Sequence, residues 1–159
     1  MYHYFVRRKI REVFRRLNRR DFDFVTRQFT PGAEHWFSGR HALSGGRHTP
    51  ELIAAWYRRL GAVFEGIEFE TKKIFVSGMP WKTFVAVEWA DQVRDRAGRP
   101  LPNQGVFLIT MCWGRATELH IYCDTKKLEE NLAILVAQGV AEAGKEPIQD
   151  DSGLSMARN

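Results

Sequence analysis

One stretch of this 159-residue chain, residues 105–124 (GVFLITMCWGRATELHIYCD), constrains the fold more than any other. Two runs rich in β-branched, aromatic and sulfur-containing side chains flank Gly114-Arg115, and a glycine at the first position of a two-residue loop suits a type II′ turn. The sequence therefore predicts a β-hairpin. Counting outward from that turn pairs Ile109 with His120, and residues paired in this way share one side of the sheet.

The two faces of the predicted hairpin differ in composition. One is almost wholly apolar and includes Leu119, Ile121 and Cys123, whereas the other mixes large apolar side chains with polar ones such as His120 and Tyr122. Only one of these faces can pack against the main core. The mixed face is compatible with a ligand pocket, a partner surface or a half-solvated sheet, and the hairpin pattern does not choose between them.

The composition suits a single domain that folds without disulfide bonds, since 44% of the residues are hydrophobic and 13% are aromatic. No apolar run approaches the roughly 18 residues of a membrane span. The first residues, MYHYFVRRKIREVF, lack the apolar segment of a secretory signal, so a cytoplasmic location is expected. The predicted register separates Cys112 from Cys123, which are expected to be buried free thiols. No metal-binding spacing is present, and we expect neither a metal nor a cofactor.

The basic character of the chain is concentrated in its first helix. Residues 1–20 contain eight of the 24 basic residues and one acidic residue, and residues 4–17 place apolar side chains on one helical stripe with arginines on the opposite arc. Such a helix could bind nucleic acid or anionic lipid, or it could present a solvated outer face. The pattern favours the solvated face, because the rest of the chain lacks a complementary basic groove or a nucleic-acid-binding motif.

Caps, periodicity and turn residues predict the other elements. The first of these are a short helix from the cap Asp21 to Gln28, a short strand at 33–38 and a glycine-rich loop at 39–48. A helix at 50–64 follows, with Thr49 as its N-cap. After it come strands at 67–76 and 81–93, the hairpin, and a helix capped by Asp124. Helices followed by a strand meander predict an α+β fold: a cone-shaped, curved antiparallel sheet with helices packed over its concave face. Residues 1–143 are expected to form one domain, and residues 144–159 a disordered tail.

Three segments of this pattern carry a family resemblance. The amino-terminal helix pair, the segment HWFSGRHALSGG at 35–46 with its following helix, and the strands ending in GRATELHIYCDTK at 114–126 resemble the nuclear transport factor 2-like superfamily. Within it, residues 4–128 are most similar to the SnoaL-like polyketide cyclases and the limonene-epoxide hydrolases. The resemblance implies the fold more strongly than the chemistry, because this fold also hosts isomerases, dehydratases and non-catalytic binding modules.

The residues that match the epoxide hydrolases depart from their catalytic pattern. In VEWAD, residues 87–91, Trp89 occupies the position of the family's arginine and Asp91 keeps that of the aspartate. In LHIYCD, residues 119–124, Ile121 occupies the position of the catalytic aspartate. Because that mechanism needs both acids and the cation between them, the resemblance does not imply epoxide hydrolysis here. It does imply that Ile121 points into the pocket, which would direct His120 to the outer face.

Two residues are candidates for acid-base catalysis. Asp91 follows Trp89 by two positions on the same strand face, and an aspartate in an aromatic cavity has a raised pKa and can act as a general base; an ordinary solvated aspartate is the alternative. His120 titrates in the useful range, and Tyr122 on the same face could assist it as a donor; for these two the alternative is a half-exposed face or a dimer contact.

These observations support two hypotheses of function. The first is a cofactor-independent isomerase, cyclase or dehydratase acting on a hydrophobic carbonyl metabolite such as a polyketide. The second is a non-catalytic ligand-binding or dimerisation module, with a homodimer formed through the sheet. The candidate pocket-lining residues are Trp36, His41, Trp56, Trp89, Leu119, Ile121 and Tyr122.

Overall fold

The computed structural model describes residues 1–150, in which helices cover one face of a curved six-stranded sheet. The predicted α+β class is therefore confirmed. The elements in chain order are α1 (Tyr2–Asn18), α2 (Phe22–Thr26), β1 (Phe29–Phe37), β2 (Gly45–Arg47), α3 (Pro50–Val63), β3 (Glu68–Met79), β4 (Lys82–Gln92), β5 (Gln104–Cys112), β6 (Arg115–Cys123), α4 (Thr125–Ala137) and a 3-10 helix (Ala141–Gly144).

The helix starts follow the predicted caps. The side chains of Asp21, Thr49 and Asp124 each accept a hydrogen bond from a backbone N–H in the first turn of α2, α3 and α4. These hydrogen bonds satisfy donors that a helix leaves unpaired at its start, which is why the caps could be recognised from sequence. Among residues 1–150, no helix is long and apolar enough to cross a membrane.

The sheet contains one strand pair that the predicted meander lacks. Its strand order is β2-β1-β6-β5-β4-β3, and β1 runs parallel to β6 whereas the other neighbours are antiparallel. β1 and β6 are distant in the chain, so the pattern of consecutive strands carries no information about this pairing. The pairing places the glycine-rich loop and β2 at one edge of the sheet.

The turn of the central hairpin differs from the prediction. It consists of Trp113 and Gly114, whose φ angles of 49° and 80° are both positive, as in a type I′ turn and not in the expected type II′ turn. A bulge follows the turn, and beyond it Leu108 pairs with His120. The predicted pairing of Ile109 with His120 is therefore wrong by one residue. The turn begins one residue earlier than predicted, because a tryptophan occupies a backbone conformation usually filled by Asn or Gly, and the bulge reverses half of the resulting shift in register.

The corrected register shows which hairpin face packs on the core. Leu119 and Ile121 are buried under the helices, whereas His120 and Tyr122 lie on the outer face of the sheet. The orientation implied by the family resemblance is thus the observed one. Both cysteines are free, as expected, although they are partly rather than fully buried.

The segment after the 3-10 helix packs against the domain, contrary to the predicted tail. Arg47 Nε donates a 2.8 Å hydrogen bond to the carbonyl oxygen of Ile148, and Arg59 Nη1 donates to that of Glu146. His48 Nδ1 donates to Asp150 at 3.0 Å. These contacts join residues 146–150 to β2 and α3. The remainder of the predicted tail lies outside the described residues.

Candidate active site

A small cavity lies between the helices and the sheet, and we call it the aromatic cavity. Its volume is about 30 Å³, and its lining includes Phe37, Trp56, Phe69, Trp89, Phe107 and Ile121. Ring contacts fill most of this region: the centroids of Phe69 and Trp89 are 5.2 Å apart, and those of Trp89 and Phe107 are 5.4 Å apart. The space remaining is comparable to that occupied by one water molecule. The predicted cone is therefore present, but aromatic side chains occupy most of it.

Trp89 reaches this cavity because the residue opposite it is a glycine. Trp89 in β4 pairs with Gly105 in β5. A Cβ atom at Gly105 would lie 2.8 Å from Trp89 Cζ2 and 2.0 Å from the carbonyl oxygen of Tyr122, both too close for a real contact. The indole is buried, and its Nε1–H has no hydrogen-bond partner among residues 1–150. Trp89, which lines the cavity, thus carries a buried hydrogen-bond donor that is unpaired among the described residues.

Asp91 lines the same cavity two residues further along β4. Its Oδ1 accepts a 2.8 Å hydrogen bond from the backbone N–H of Asn103, and its own N–H donates to the Asn103 carbonyl oxygen at 2.9 Å. Burial raises the pKa of Asp91 to about 6, although the Asn103 hydrogen bond and the charge of Lys127 act in the opposite direction. Near neutral pH this carboxyl group can therefore both accept and return a proton.

The thiol of Cys123 completes the polar part of the cavity. Burial raises its pKa to about 12, and the negative charges of Asp91 and Asp124 add to this effect. A thiol of this kind stays protonated and is a poor nucleophile at neutral pH. Asp91 is therefore the group of this cavity that is suited to proton transfer.

His120 lies on the opposite side of the sheet from Asp91. Its Nε2–H donates a 2.6 Å hydrogen bond to Glu34 Oε1, and its ring contacts Trp36, which also contacts Tyr122. His120, Trp36 and Tyr122 are therefore separated from the aromatic cavity by the sheet itself. Glu34 was not among the sequence candidates, although its alternation with Trp36 in β1 could have placed both on one face.

The other predicted lining residues are distributed over three places. Trp56, Trp89 and Ile121 surround the aromatic cavity with Asp91. Leu119 lines a second cavity of about 60 Å³ beneath α1. His41 and Trp36 border an open groove of about 670 Å³ beside α4. The structure therefore brings together the tryptophan and aspartate candidates of β4, and it does not join them to the histidines.

A buried polar pair behind Trp56 was not recognised from sequence. Arg47 Nη1 donates a 2.7 Å hydrogen bond to Nδ1 of His35, and both side chains are fully buried. Burial and the charge of Arg47 hold the pKa of His35 well below its usual range, and burial lowers the pKa of Arg47 to about 10. The guanidinium also lies 5.5 Å from the Trp56 ring centroid.

Within residues 1–150, no group of His, Cys, Asp and Glu side chains is arranged to hold a metal ion.

Comparisons with known proteins agree on one fold. Residues 10–119 match the model of the SnoaL-like domain family. A search of curated protein sequences finds no match. Among solved structures, the chain is similar to a nuclear transport factor 2-like protein of unknown function from Burkholderia pseudomallei, with a TM-score of 0.70 and 19% identity over 79% of this chain and 95% of that one.

Two further similar structures are named proteins. PrhC from Penicillium brasilianum has a TM-score of 0.72 and 10% identity, covering 87% of this chain and 92% of that one. TerC, co-crystallized with polyporic acid, has a TM-score of 0.66 and 19% identity, covering 79% of this chain and 95% of that one. At these identities the similarity shows the fold, and the chemistry has to be argued from the residues of this chain.

Proposed function

The chain belongs to the SnoaL-like domain family, and from this premise we propose that it is a cofactor-independent acid-base enzyme, with Asp91 as its general base. The substrate class is a hydrophobic carbonyl compound such as a polyketide, and the reaction is an isomerisation, cyclisation or dehydration. One observation carries the proposal: the same apolar cavity is lined by Asp91, whose pKa is about 6, and by Trp89, whose indole N–H has no hydrogen-bond partner among residues 1–150.

The proposed chemistry assigns one role to each of these groups. The ionised Asp91 accepts a proton from the carbon next to the substrate carbonyl, and the electron pair of the broken C–H bond moves to form an enolate. Trp89 Nε1–H donates a hydrogen bond to the enolate oxygen, where negative charge develops. Asp91 then returns the proton to another carbon of the substrate. The apolar lining strengthens both interactions, because few water molecules compete with them.

The size of the cavity limits how a substrate can bind. About 30 Å³ accommodates the end of a carbonyl group but not a polyketide ring system. The proposal therefore requires the cavity to widen when the substrate enters, by displacement of lining rings such as those of Trp56 and Phe69. Trp56 and Trp89 both lie there, so such a change would alter tryptophan fluorescence.

The test is proton exchange at carbon. A panel of aryl ketones and β-diketones is incubated with the protein in D₂O. NMR follows the exchange for deuterium of the hydrogen on the carbon next to the carbonyl, as the loss of its signal. We expect an exchange rate that rises with pH to a plateau above about 6, and that Asp91→Asn abolishes. The matched control is His120→Gln, which removes the rival base on the outer face and should leave the rate unchanged. Exchange that survives Asp91→Asn would overturn the assignment.

A second candidate function rests on the outer face of the sheet. Phe75, Phe84 and Leu108 are exposed around a shallow groove of about 550 Å³ that also contacts His120, and Tyr122 is exposed further along β6. The alternative is a non-catalytic module that forms a homodimer through this face. A cytoplasmic location is proposed for either function. Sedimentation equilibrium tests it: the chain should be a dimer, and Leu108→Asp should make it a monomer. A dimer combined with no exchange activity on any ketone of the panel would favour this alternative.

A further inference from the structure

Three segments distant in sequence meet at one end of the molecule, and we call this end the aromatic tip. It comprises the start of α1 (residues 1–11), the β3–β4 turn (78–82) and the β5–β6 turn (112–115). His3 Nε2–H donates a 2.8 Å hydrogen bond to the Gly78 carbonyl oxygen, Lys9 donates to that of Gly114, and the Trp113 N–H donates to that of Pro80 at 2.7 Å. The three segments thus form one continuous surface.

Large apolar side chains project into solvent from this tip. Tyr4, Phe5, Met79, Trp81 and Trp113 are each more than half exposed, and Trp113 is 71% exposed. The rings of Trp81 and Trp113 are neighbours, with centroids 6.5 Å apart. The tryptophans of the aromatic cavity, in contrast, are almost fully buried. A cluster of five exposed apolar side chains is unusual for a solvated surface and indicates a binding surface.

The charges of the aromatic tip all have one sign. Its three segments contain six basic residues and no Asp or Glu, and the basic residues are Arg7, Arg8, Lys9, Arg11, Lys82 and Arg115. Glu12 is the first acidic residue to follow in α1, and its carboxylate is bound by Arg15 and Arg16. The partner of this surface therefore has to be anionic as well as able to cover apolar side chains.

We propose that the aromatic tip docks on the surface of an anionic lipid bilayer. Tryptophan and tyrosine are the residues that favour the boundary between headgroups and acyl chains, and basic residues beside them are attracted to anionic headgroups. A nucleic-acid duplex would satisfy the charges but would leave the apolar cluster facing a polyphosphate backbone. A single strand could stack its bases on the rings, so binding of single-stranded polyadenylate is one outcome of the test. The sequence alone does not favour membrane binding by α1, because only the folded chain places the two turn tryptophans beside the arginines.

The experiment measures partition onto vesicles. Vesicles of phosphatidylcholine with about one third phosphatidylserine are compared with vesicles of phosphatidylcholine alone. We expect binding to the anionic vesicles, a blue shift of the emission of Trp81 and Trp113, and quenching by brominated acyl chains. The double variant Trp81→Ser with Trp113→Ser should bind at least roughly tenfold more weakly, and Arg8→Gln with Arg11→Gln several-fold more weakly.

Matched variants elsewhere on the surface serve as controls. Tyr122→Ser removes an exposed aromatic side chain at the other end of β6, and Arg19→Gln with Arg58→Gln removes two exposed charges outside the tip. Both controls should bind vesicles as the unaltered chain does. Circular dichroism confirms that each variant is folded, which is expected because all of these side chains are exposed.

Three results would overturn the proposal. The first is vesicle binding that the tryptophan variants leave unchanged. The second is binding of single-stranded polyadenylate, and not of vesicles, that is lost in the arginine variants, since this would assign the tip to a nucleic acid. The third is a vesicle-independent dimer that the tryptophan variants dissociate, since this would assign the tip to a second copy of the chain.

Discussion

Asp91, which is partly buried, and Asp95, which is buried, are four residues apart, yet the pKa values of their carboxyl groups are shifted in opposite directions. Burial raises the pKa of Asp91 to about 6. Burial also acts to raise the pKa of Asp95, but hydrogen bonds from the Arg99 backbone and from the Gln138 and Arg99 side chains outweigh it and lower the pKa to about 2. Burial alone therefore does not decide whether a carboxyl group is available for chemistry.

The number of donors around each carboxylate explains the difference. Asp95 accepts hydrogen bonds from the backbone of Ala97 and Arg99, from the Arg99 guanidinium and from Gln138. Asp91, in contrast, accepts one described hydrogen bond, from the backbone of Asn103. Through these hydrogen bonds the Asp95 carboxylate holds the loop at residues 94–100 against the end of α4. The Asp91 carboxylate retains capacity for a proton, and this difference is the reason why we propose Asp91, and not Asp95, as the general base.

The largest expected loss of stability comes from filling the space that Gly105 leaves beside the aromatic cavity. Gly105→Ala places a Cβ atom against the Tyr122 backbone and the Trp89 ring, so we expect the free energy of unfolding to fall by about 3 kcal/mol. Urea denaturation measures this loss. Gly46→Ala is the control, because its Cβ would make an ordinary 3.5 Å contact with Trp36. If the two substitutions lowered the free energy of unfolding equally, the packing of Trp89 would not require a glycine at position 105.

A somewhat smaller loss is expected when the well-bonded carboxylate is removed. Asp95→Ala leaves two backbone donors and the Gln138 amide without their acceptor, so the melting temperature at pH 7 should fall by roughly 8 °C. Because the folded pKa is depressed, the stabilisation is present above the unfolded pKa near 4 and is lost as pH falls toward about 2. A variant that melts like the unaltered chain at pH 7 would contradict the structural role of Asp95.

The opposite sign is expected at Asp91. Its folded pKa is raised, so the contribution of Asp91 to stability should be largest below the unfolded pKa near 4 and be lost as pH rises through about 6. Asp91→Asn removes this loss while keeping an acceptor for the Asn103 N–H, and should raise the free energy of unfolding at pH 7.5 by about 2 kcal/mol. The same variant at pH 3.5 should match the unaltered chain. Denaturation at both pH values measures the difference.

The smallest effect is expected for a surface histidine. Burial acts to lower the pKa of His48, but the carboxylates of Asp150 and Glu34 outweigh this and raise it. Its stabilisation of the segment at 146–150 is therefore present below the usual histidine pKa and lost as pH rises through the raised value. His48→Gln should lower stability at pH 6 by less than about 1 kcal/mol and have no effect at pH 9. Amide hydrogen exchange at residues 146–150 provides the readout.

Local rules predicted the parts of this fold that depend on neighbouring residues. The caps Asp21, Thr49 and Asp124 were found because each satisfies donors within its own first turn. The shared face of Trp89 and Asp91 was predicted because alternation along one strand determines it. The hairpin register was missed, because the conformation of Trp113 is stabilised by contacts such as its hydrogen bond to Pro80, which are absent from the hairpin itself.

The volume of the site could not be predicted in this way. It depends on how the rings of Trp56, Phe69, Trp89 and Phe107 pack, and these come from four different elements. The burial of Arg47 against His35 was equally hidden, because an arginine in a glycine-rich loop usually indicates an exposed position. Side-chain volume and long-range polar pairing are properties of the folded chain, and single-sequence patterns report neither.

The parallel pairing of β1 with β6 has a consequence for biosynthesis. A ribosome delivers β1 early, but its larger neighbour in the sheet emerges only near the carboxyl end of the domain. Until then, β1 can pair only with the short β2, and its other edge stays unpaired and prone to association with other nascent chains. Closure of the sheet is thus a late event, and the yield of folded chain depends on protection of that edge during translation.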